Sequence, residues 1–326
     1  MKKLISLALA VILCLGACIS FASCGEKTDY TVGICQLMEH TSLDQATKGF
    51  KDALTAELKK AGKTVTIKTE VAGEATLCST VINTFTASKV DLIMANATPA
   101  LTAAAEATST IPVLGTSVTS YEDTFKNNIP ANVSGTSDAV PFDEQAQMMI
   151  DTLGLKSGDK VGLLYCSSEP NSQYQVDVVD EYLSGKGITV THYKFNDSND
   201  LQGITASAAD ACDAIYVPTD NTAASNTSII NNVCEAKKVP VFTGEENTCK
   251  GCGYATLAIS YENIGRKTGE MAAKILLGQS DITTMAIEYD ADPVKRYNEA
   301  ACINLGIDIE ALKAAGYVVI PGTEAE

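Results

Sequence analysis

Ala214-Ile215-Tyr216-Val217-Pro218-Thr219-Asp220-Asn221 runs from an apolar stretch of strand-forming residues into hydroxyl, carboxylate and amide groups. A short continuous apolar run bounded by turn residues marks a strand buried on both faces, as in a parallel sheet. Its polar end is then a carboxyl tip, with Asn221 leading into the next helix. The pattern extends in both directions. Upstream, Lys160 to Cys166 (KVGLLYC) reads as a strand, Gln173 to Leu183 as a helix and Ile188 to Phe195 as a strand; downstream, Val239 to Thr243 is one more. Alternating strands and helices of this length indicate βαβ units around a parallel sheet.

The first half repeats this grammar. Thr31 to Gln36 is a buried-strand run, and Leu43, Ala46, Phe50, Ala53, Leu54, Leu58 and Ala61 then recur at helical spacing until Gly62. Strands are expected at Val65 to Val71, Asp91 to Ala95 and Ile111 to Gly115. Gly62-Lys63-Thr64-Val65-Thr66 and Gly187-Ile188-Thr189-Val190-Thr191 occupy equivalent places in the two halves. The fold expected is therefore α/β: two doubly wound parallel-sheet lobes with a ligand cleft between them. Asn127 to Pro130 and Pro141 bracket a less regular stretch, taken as a crossing. The first lobe is expected to comprise 30–136 plus about 257–283, and the second 137–256 plus about 284–326.

Met1-Lys2-Lys3 followed by the apolar run Leu4 to Gly16 reads as an export signal, too short for a transmembrane helix. Small residues precede Cys18 and Cys24, as in a bacterial lipoprotein signal. The reading takes residues 1–24 as signal, 25–29 as tether and Cys24, alternatively Cys18, as the lipidated residue. The protein is then extracytoplasmic and anchored to the bacterial cell membrane by lipid.

Composition removes several classes of function. The 326 residues carry 24 Lys plus Arg against 40 Asp plus Glu, a formal charge of -16. Nucleic-acid binding draws its affinity from the opposite balance. Only two histidines, His40 and His192, are present, so a histidine-based metal centre has too few ligands. No Gly-x-Gly-x-x-Gly or Gly-x-x-x-x-Gly-Lys loop follows a strand, and no Gly-x-Ser-x-Gly elbow exists. No metal or cofactor is expected. Most of the 11 cysteines lie in apolar patterns, where a thiol serves as a small hydrophobe. Cys249-Lys250-Gly251-Cys252 is compatible with unpaired thiols or a local disulfide; a zinc site lacks its second pair.

In open parallel sheets ligands bind beyond the carboxyl ends of the strands, so the tips supply the candidates. They are Glu39 and His40; Thr98; Thr116 and Ser117; Ser168, Glu169, Asn171 and Ser172; Asp220 and Asn221; and Glu245. Helix N-termini behind Thr98, Asn171 and Asn221 suit a ligand carboxylate, and Asp220 suits an ammonium. Each Ser, Thr or Asn could equally serve as a helix N-cap, and Glu39 with His40 as a solvated pair. Tyr121, Phe142, Tyr174 and Tyr261 are aromatic groups near these tips, able to cover an apolar side chain or to pack in the core.

Several stretches resemble one family: Val32-Gly33-Ile34 through Glu39-His40, Leu43-Asp44 to Phe50, Ala97-Thr98-Pro99-Ala100, Asn132 to Asp138, Leu164 through Ser172, Ala214 to Asn221, and Ile264-Gly265-Arg266 to Gly278. They are similar to the substrate-binding lipoproteins of ABC importers of the tryptophan/tyrosine type, with a periplasmic-binding-protein type I fold. The resemblance implies two lobes joined by three crossings, an amino acid or similar solute in the cleft, and delivery to a membrane permease and its ATPase; the protein is expected to be a monomer. It implies a ligand-facing set of Glu39, Thr98, Ser168, Glu169, Asn171, Asp220 and Asn221. The departure at Cys249 to Tyr254 bears on the ligand more than on the fold. A secreted enzyme using cleft carboxylates and a ligand sensor of the same fold are the alternatives.

Overall fold

The computed structural model describes residues 28–289 and 292–324. Cys18 and Cys24, and with them the expected signal and lipidation site, lie outside the described residues. Among those described, no helix is long and apolar enough to cross a membrane.

Two sheets form. The first has the order β11-β5-β4-β3-β1-β2, built from β1 (Tyr30–Gln36), β2 (Val65–Val71), β3 (Leu92–Asn96), β4 (Val113–Val118), β5 (Val133–Ser137) and β11 (Glu288–Tyr289). The second has the order β13-β12-β10-β9-β8-β6-β7. It contains β6 (Lys160–Cys166), β7 (Thr189–Phe195), β8 (Ala214–Val217), β9 (Val241–Thr243), β10 (Ala255–Ala258), β12 (Val294–Tyr297) and β13 (Val318–Val319). Every pairing is parallel except β10 with β12. The strand order reverses beside β1 in one sheet and beside β6 in the other, the switch points at which parallel sheets open a crevice.

Buried apolar residues cover both faces of each sheet. In the first lobe Val32 and Ile34 of β1 pack with Phe50, Leu54 and Leu58 of the helix Thr41–Lys60, while Cys35 packs with Ile82 and Phe85 on the other face. That amphipathic spacing is the one read from the sequence. The helix Tyr261–Leu276 returns from the second lobe and packs against Thr41–Lys60. The approach is close enough that a Cβ at Gly265 would sit on the Ala46 carbonyl oxygen, and one at Gly49 on that of Glu262. Only glycine fits such a crossing.

The stretch between Asn127 and Pro141, expected as an irregular crossing, contains β5. Its sequence Val-Ser-Gly-Thr-Ser lacks the apolar run of a buried strand, yet all five residues are buried. Its hydroxyls find partners inside. Ser134 Oγ donates to the Met285 carbonyl at 2.9 Å, Thr136 Oγ1 lies 3.1 Å from that of Thr116 and 2.8 Å from that of Thr268, and Ser137 Oγ donates to the Thr119 carbonyl at 2.8 Å. Satisfied hydroxyls let a polar strand occupy a core position. Sheet membership also shifts the expected boundaries. Residues 257–258 belong to β10 of the second sheet, and β11, expected beyond the 284 boundary, pairs with β5 of the first.

Candidate functional site

The tips of the two sheets face each other across a narrow cavity lined by residues of both lobes, among them His40, Ser117, Asp138, Asn171, Asp220, Glu245 and Tyr261. No Lys or Arg is among its lining residues. The lobes touch through polar contacts around it. Ser42 Oγ donates to Glu245 Oε2 at 2.8 Å, Asn247 Nδ2 donates to Ser42 Oγ at 2.9 Å, and His40 Nε2 lies 3.2 Å from Asn221 Oδ1. Gln175 Nε2 donates to Thr119 Oγ1 at 3.1 Å on the other side.

Four carboxylates converge here, and their hydrogen bonds divide them into two kinds. An ionised carboxylate offers about four lone-pair sites. Glu169, the N-cap of the helix Pro170–Gly185, uses four. It accepts from the amide nitrogens of Asn221 and Thr222, both at 2.9 Å, from Asn221 Nδ2 at 2.6 Å and from Thr222 Oγ1 at 2.7 Å. Glu245 caps the helix Glu246–Cys252 and also uses four, accepting from Asn247 N, Thr248 N, Thr248 Oγ1 and Ser42 Oγ. Both are braces with no acceptor capacity to spare.

Asp138 and Asp220 are different. Asp220 caps the helix Asn221–Ala224 by accepting from Ala223 N at 2.8 Å through Oδ1, while Oδ2 accepts from Cys166 N at 2.7 Å and Ser172 Oγ at 2.8 Å. One lone-pair site remains. Asp138 accepts from Thr119 Oγ1 at 2.9 Å and from the Tyr261 hydroxyl at 3.0 Å, which leaves two. Asp138 is 6% and Asp220 2% exposed. Burial, reinforced by the neighbouring Glu169 charge, pushes Asp220 up to about 8. Burial, helped by the Glu245 charge, outweighs the Thr119 and Tyr261 hydrogen bonds and raises Asp138 to about 6. A cation between them would reverse both shifts.

Three lining groups have buried polar atoms with no hydrogen-bond partner: His40 Nδ1, Ser117 Oγ and Asn171 Oδ1. Ser117 has φ +54, the left-handed region, where the β4–β5 register shifts between Gly115 and Val118. Ala97, at the neighbouring tip, has φ +92 and starts the helix Thr98–Ala107 without a side-chain cap. Two non-glycine residues in costly backbone conformations at adjacent tips are a feature of binding sites.

Of the residues expected from sequence, His40, Ser117, Asn171, Asp220, Asn221 and Glu245 line this cavity. Ser172 stands behind it, bonded to Asp220. Glu39, Ser168 and Glu169 line an adjoining open recess with Met38, Val71 and Pro99. Thr98 is buried, with Oγ1 unpartnered. Thr116 is not in the cavity, because its Oγ1 faces Thr136 within the sheet. One of the three helix N-termini expected to receive a ligand carboxylate is otherwise engaged: Glu169 and Asp220 occupy the amides of Asn221, Thr222 and Ala223, whereas the helix Pro170–Gly185 starts without a side-chain cap. Sequence reasoning did not single out Ser42 or Asp138. Asp138 lies at the tip of a strand too polar to be read as one. Cys249 and Cys252 are buried on the helix Glu246–Cys252 without a disulfide, and no group of three or more potential metal ligands occurs among the described residues.

Two α/β lobes closing on a polar, carboxylate-lined cavity at their switch points define a two-lobed solute-binding protein. Residues 31–315 match the family described as ABC transporter substrate binding protein, and the chain belongs to that family, whose members are extracytoplasmic. A tyrosine-binding protein of Clostridioides difficile (strain R20291) is 34% identical over 260 residues, 78% of this chain and 75% of the relative. Among solved structures, an ABC domain from Streptococcus pneumonia in complex with L-Trp superposes with a TM-score of 0.82 at 28% identity, covering 90% of this chain and 100% of the other. A ligand-free, open substrate binding protein from Clostridium difficile, 32% identical and covering 89% of this chain and 99% of its own, reaches 0.64. In the present chain the two lobes are in contact through the hydrogen bonds described above.

Proposed function

We propose that this protein captures an aromatic amino acid from outside the cell and hands it to an ABC permease and its ATPase, performing no chemistry on it. The observation that carries the reading is the unequal occupancy of the cleft carboxylates: Asp138 and Asp220 keep open acceptor sites in a cavity whose lining contains no Lys or Arg. Such a pair suits the ligand ammonium, as a charge-assisted hydrogen bond in low dielectric. The uncapped amide end of the helix Thr98–Ala107 and the Ser117 hydroxyl supply donors for the carboxylate. The side chain then extends toward Met38, Val71 and Pro99 in the adjoining recess. The relatives that bind tyrosine and tryptophan support this class of ligand.

Closure is part of the function. Ser42 reaching Glu245, and His40 reaching Asn221, are bonds that exist only while the lobes are together, so they and the ligand stabilise one state. In this reading the protein acts as a monomer, and lipid on Cys24, or alternatively Cys18, holds it at the membrane. A thermal-shift screen of the twenty amino acids with common sugars and nucleosides tests the ligand class: Tyr, Phe or Trp should raise the melting temperature most. A sugar or nucleoside giving the sole shift would contradict it.

A further inference from the structure

The first lobe has two cysteines among its described residues, Cys35 on β1 and Cys78 at the start of the helix Cys78–Ala87. Strand and helix pack face to face in one core cluster. Gly33 and Cys35, two apart, share a face of the strand; Phe85 and Cys78, two turns apart, share a face of the helix. A Cβ at Gly33 would strike the Phe85 ring. Because the helix runs back along the strand, Cys78 comes over Cys35 as Phe85 comes over Gly33. Both thiols are 0% exposed. They interact directly, an effect that pushes the Cys35 thiol up and the Cys78 thiol down. The Cys78 thiol also donates to the Glu74 carbonyl, at 3.9 Å; the Cys252 thiol donates to the Thr248 carbonyl at 3.4 Å and that of Cys302 to the Tyr254 carbonyl at 3.5 Å.

We propose that Cys35 and Cys78 are a disulfide site, joined when the chain folds in an oxidising extracytoplasmic compartment. The two residues carry free thiols in this structure. The oxidant is a disulfide, small or protein-borne. One thiolate attacks it, forming a mixed disulfide and releasing one thiol. The second thiolate then displaces the other half, so two protons and two electrons pass to the donor, which leaves as two thiols. Burial of both sulfurs places the reaction during folding or local opening. The bond would fasten the start of the helix to the end of β1, directly before Gln36. It closes a loop holding the helix Thr41–Lys60 and the segment Val71 to Thr76, which walls the recess beside the cleft. Cross-linking a loop of this size restricts the unfolded chain.

The test is oxidative refolding of the full chain in a glutathione redox buffer, then unfolding in guanidinium with N-ethylmaleimide and peptide mapping. Cys35 and Cys78 are expected to escape labelling until reduced and to appear as one linked peptide. Reductant should lower the melting temperature of the wild type by several degrees and leave that of the Cys35→Ala/Cys78→Ala variant unmoved. The wild-type map decides alone if the variant does not fold. Labelling of both residues without reduction, or a bond joining either to another cysteine, would overturn the proposal.

Discussion

The carboxylates of Glu169 and Asp220 hold the same four-residue helix by its N-terminus: Glu169 accepts from the amides of Asn221 and Thr222, Asp220 from that of Ala223. Two acids thus share one buried helix start, and the Glu169 charge raises the cost of ionising Asp220. Glu169 is saturated by its donors, whereas Asp220 retains a free acceptor site toward the cavity. One acid braces the site and the other is left to meet a ligand.

Asp220→Asn should weaken amino-acid binding by a factor of tens to thousands, the loss of about 2–5 kcal/mol expected when one partner of a desolvated charged hydrogen bond is removed. Asp138→Asn should act in the same direction. Glu169→Gln touches a brace, so its larger effect should fall on the melting temperature of the ligand-free protein. Titration calorimetry and thermal melting of the three variants separate these roles.

Stability of the ligand-free protein should fall as pH rises from about 4 to about 8. Asp138 and Asp220 have folded-state pKa values of about 6 and about 8, above the unfolded value of about 3.9. The fold therefore holds these protons when the unfolded chain has released them, and that advantage disappears as pH passes the folded values. Urea denaturation at pH 5 and pH 8 should give the higher midpoint at pH 5. In Asp220→Asn the fall between pH 6 and 8 should be smaller.

Ser42→Ala should loosen the closed state without harming either lobe. Ser42 Oγ is the hydroxyl linking Glu245 to the first lobe, and a hydrogen bond of this kind contributes about 1 kcal/mol, or about fivefold in ligand affinity. Small-angle scattering of the ligand-free variant should show a more open particle than the wild type, with an unchanged unfolding transition.

Gly265→Ala should destabilise the protein by about 1–3 kcal/mol or more, because the added methyl overlaps the Ala46 carbonyl where two helices cross. A melting temperature equal to the wild type would show that the helices Thr41–Lys60 and Tyr261–Leu276 separate easily.

The α/β class and most strands were legible because apolar runs such as Ala214 to Val217 and Val161 to Cys166 announce themselves by composition. The strand β5 was not. Its hydroxyls acquire partners only once Met285, Thr268 and Thr119 come near, and those contacts have no local signature. The tip residues His40, Asn171 and Asp220 were legible for the same reason as the strands, since each lies in, or directly after, the short connection that follows one. What sequence could not supply was the count of donors around each acid. Glu169, Glu245 and Asp220 look alike as acids at strand tips, and only the folded chain shows that the first two are consumed by helix amides. Thr116 illustrates the complementary error: a hydroxyl at a strand end points into the sheet as readily as into a cleft.

The central claim, that the cleft takes an aromatic amino acid by its ammonium and carboxylate together, is tested most directly by titration calorimetry. The ligands are L-tyrosine and L-tryptophan, each compared with analogues lacking the amine or the carboxylate. One-to-one binding of an amino acid is predicted, with each truncated analogue at least tenfold weaker, about 1.4 kcal/mol, and with the penalty for the missing amine reduced in Asp220→Asn, where Asp138 alone remains to meet the ammonium. Equal binding of the amine-lacking analogue to the wild type, or no amino-acid binding beside clear binding of a sugar, would contradict the account.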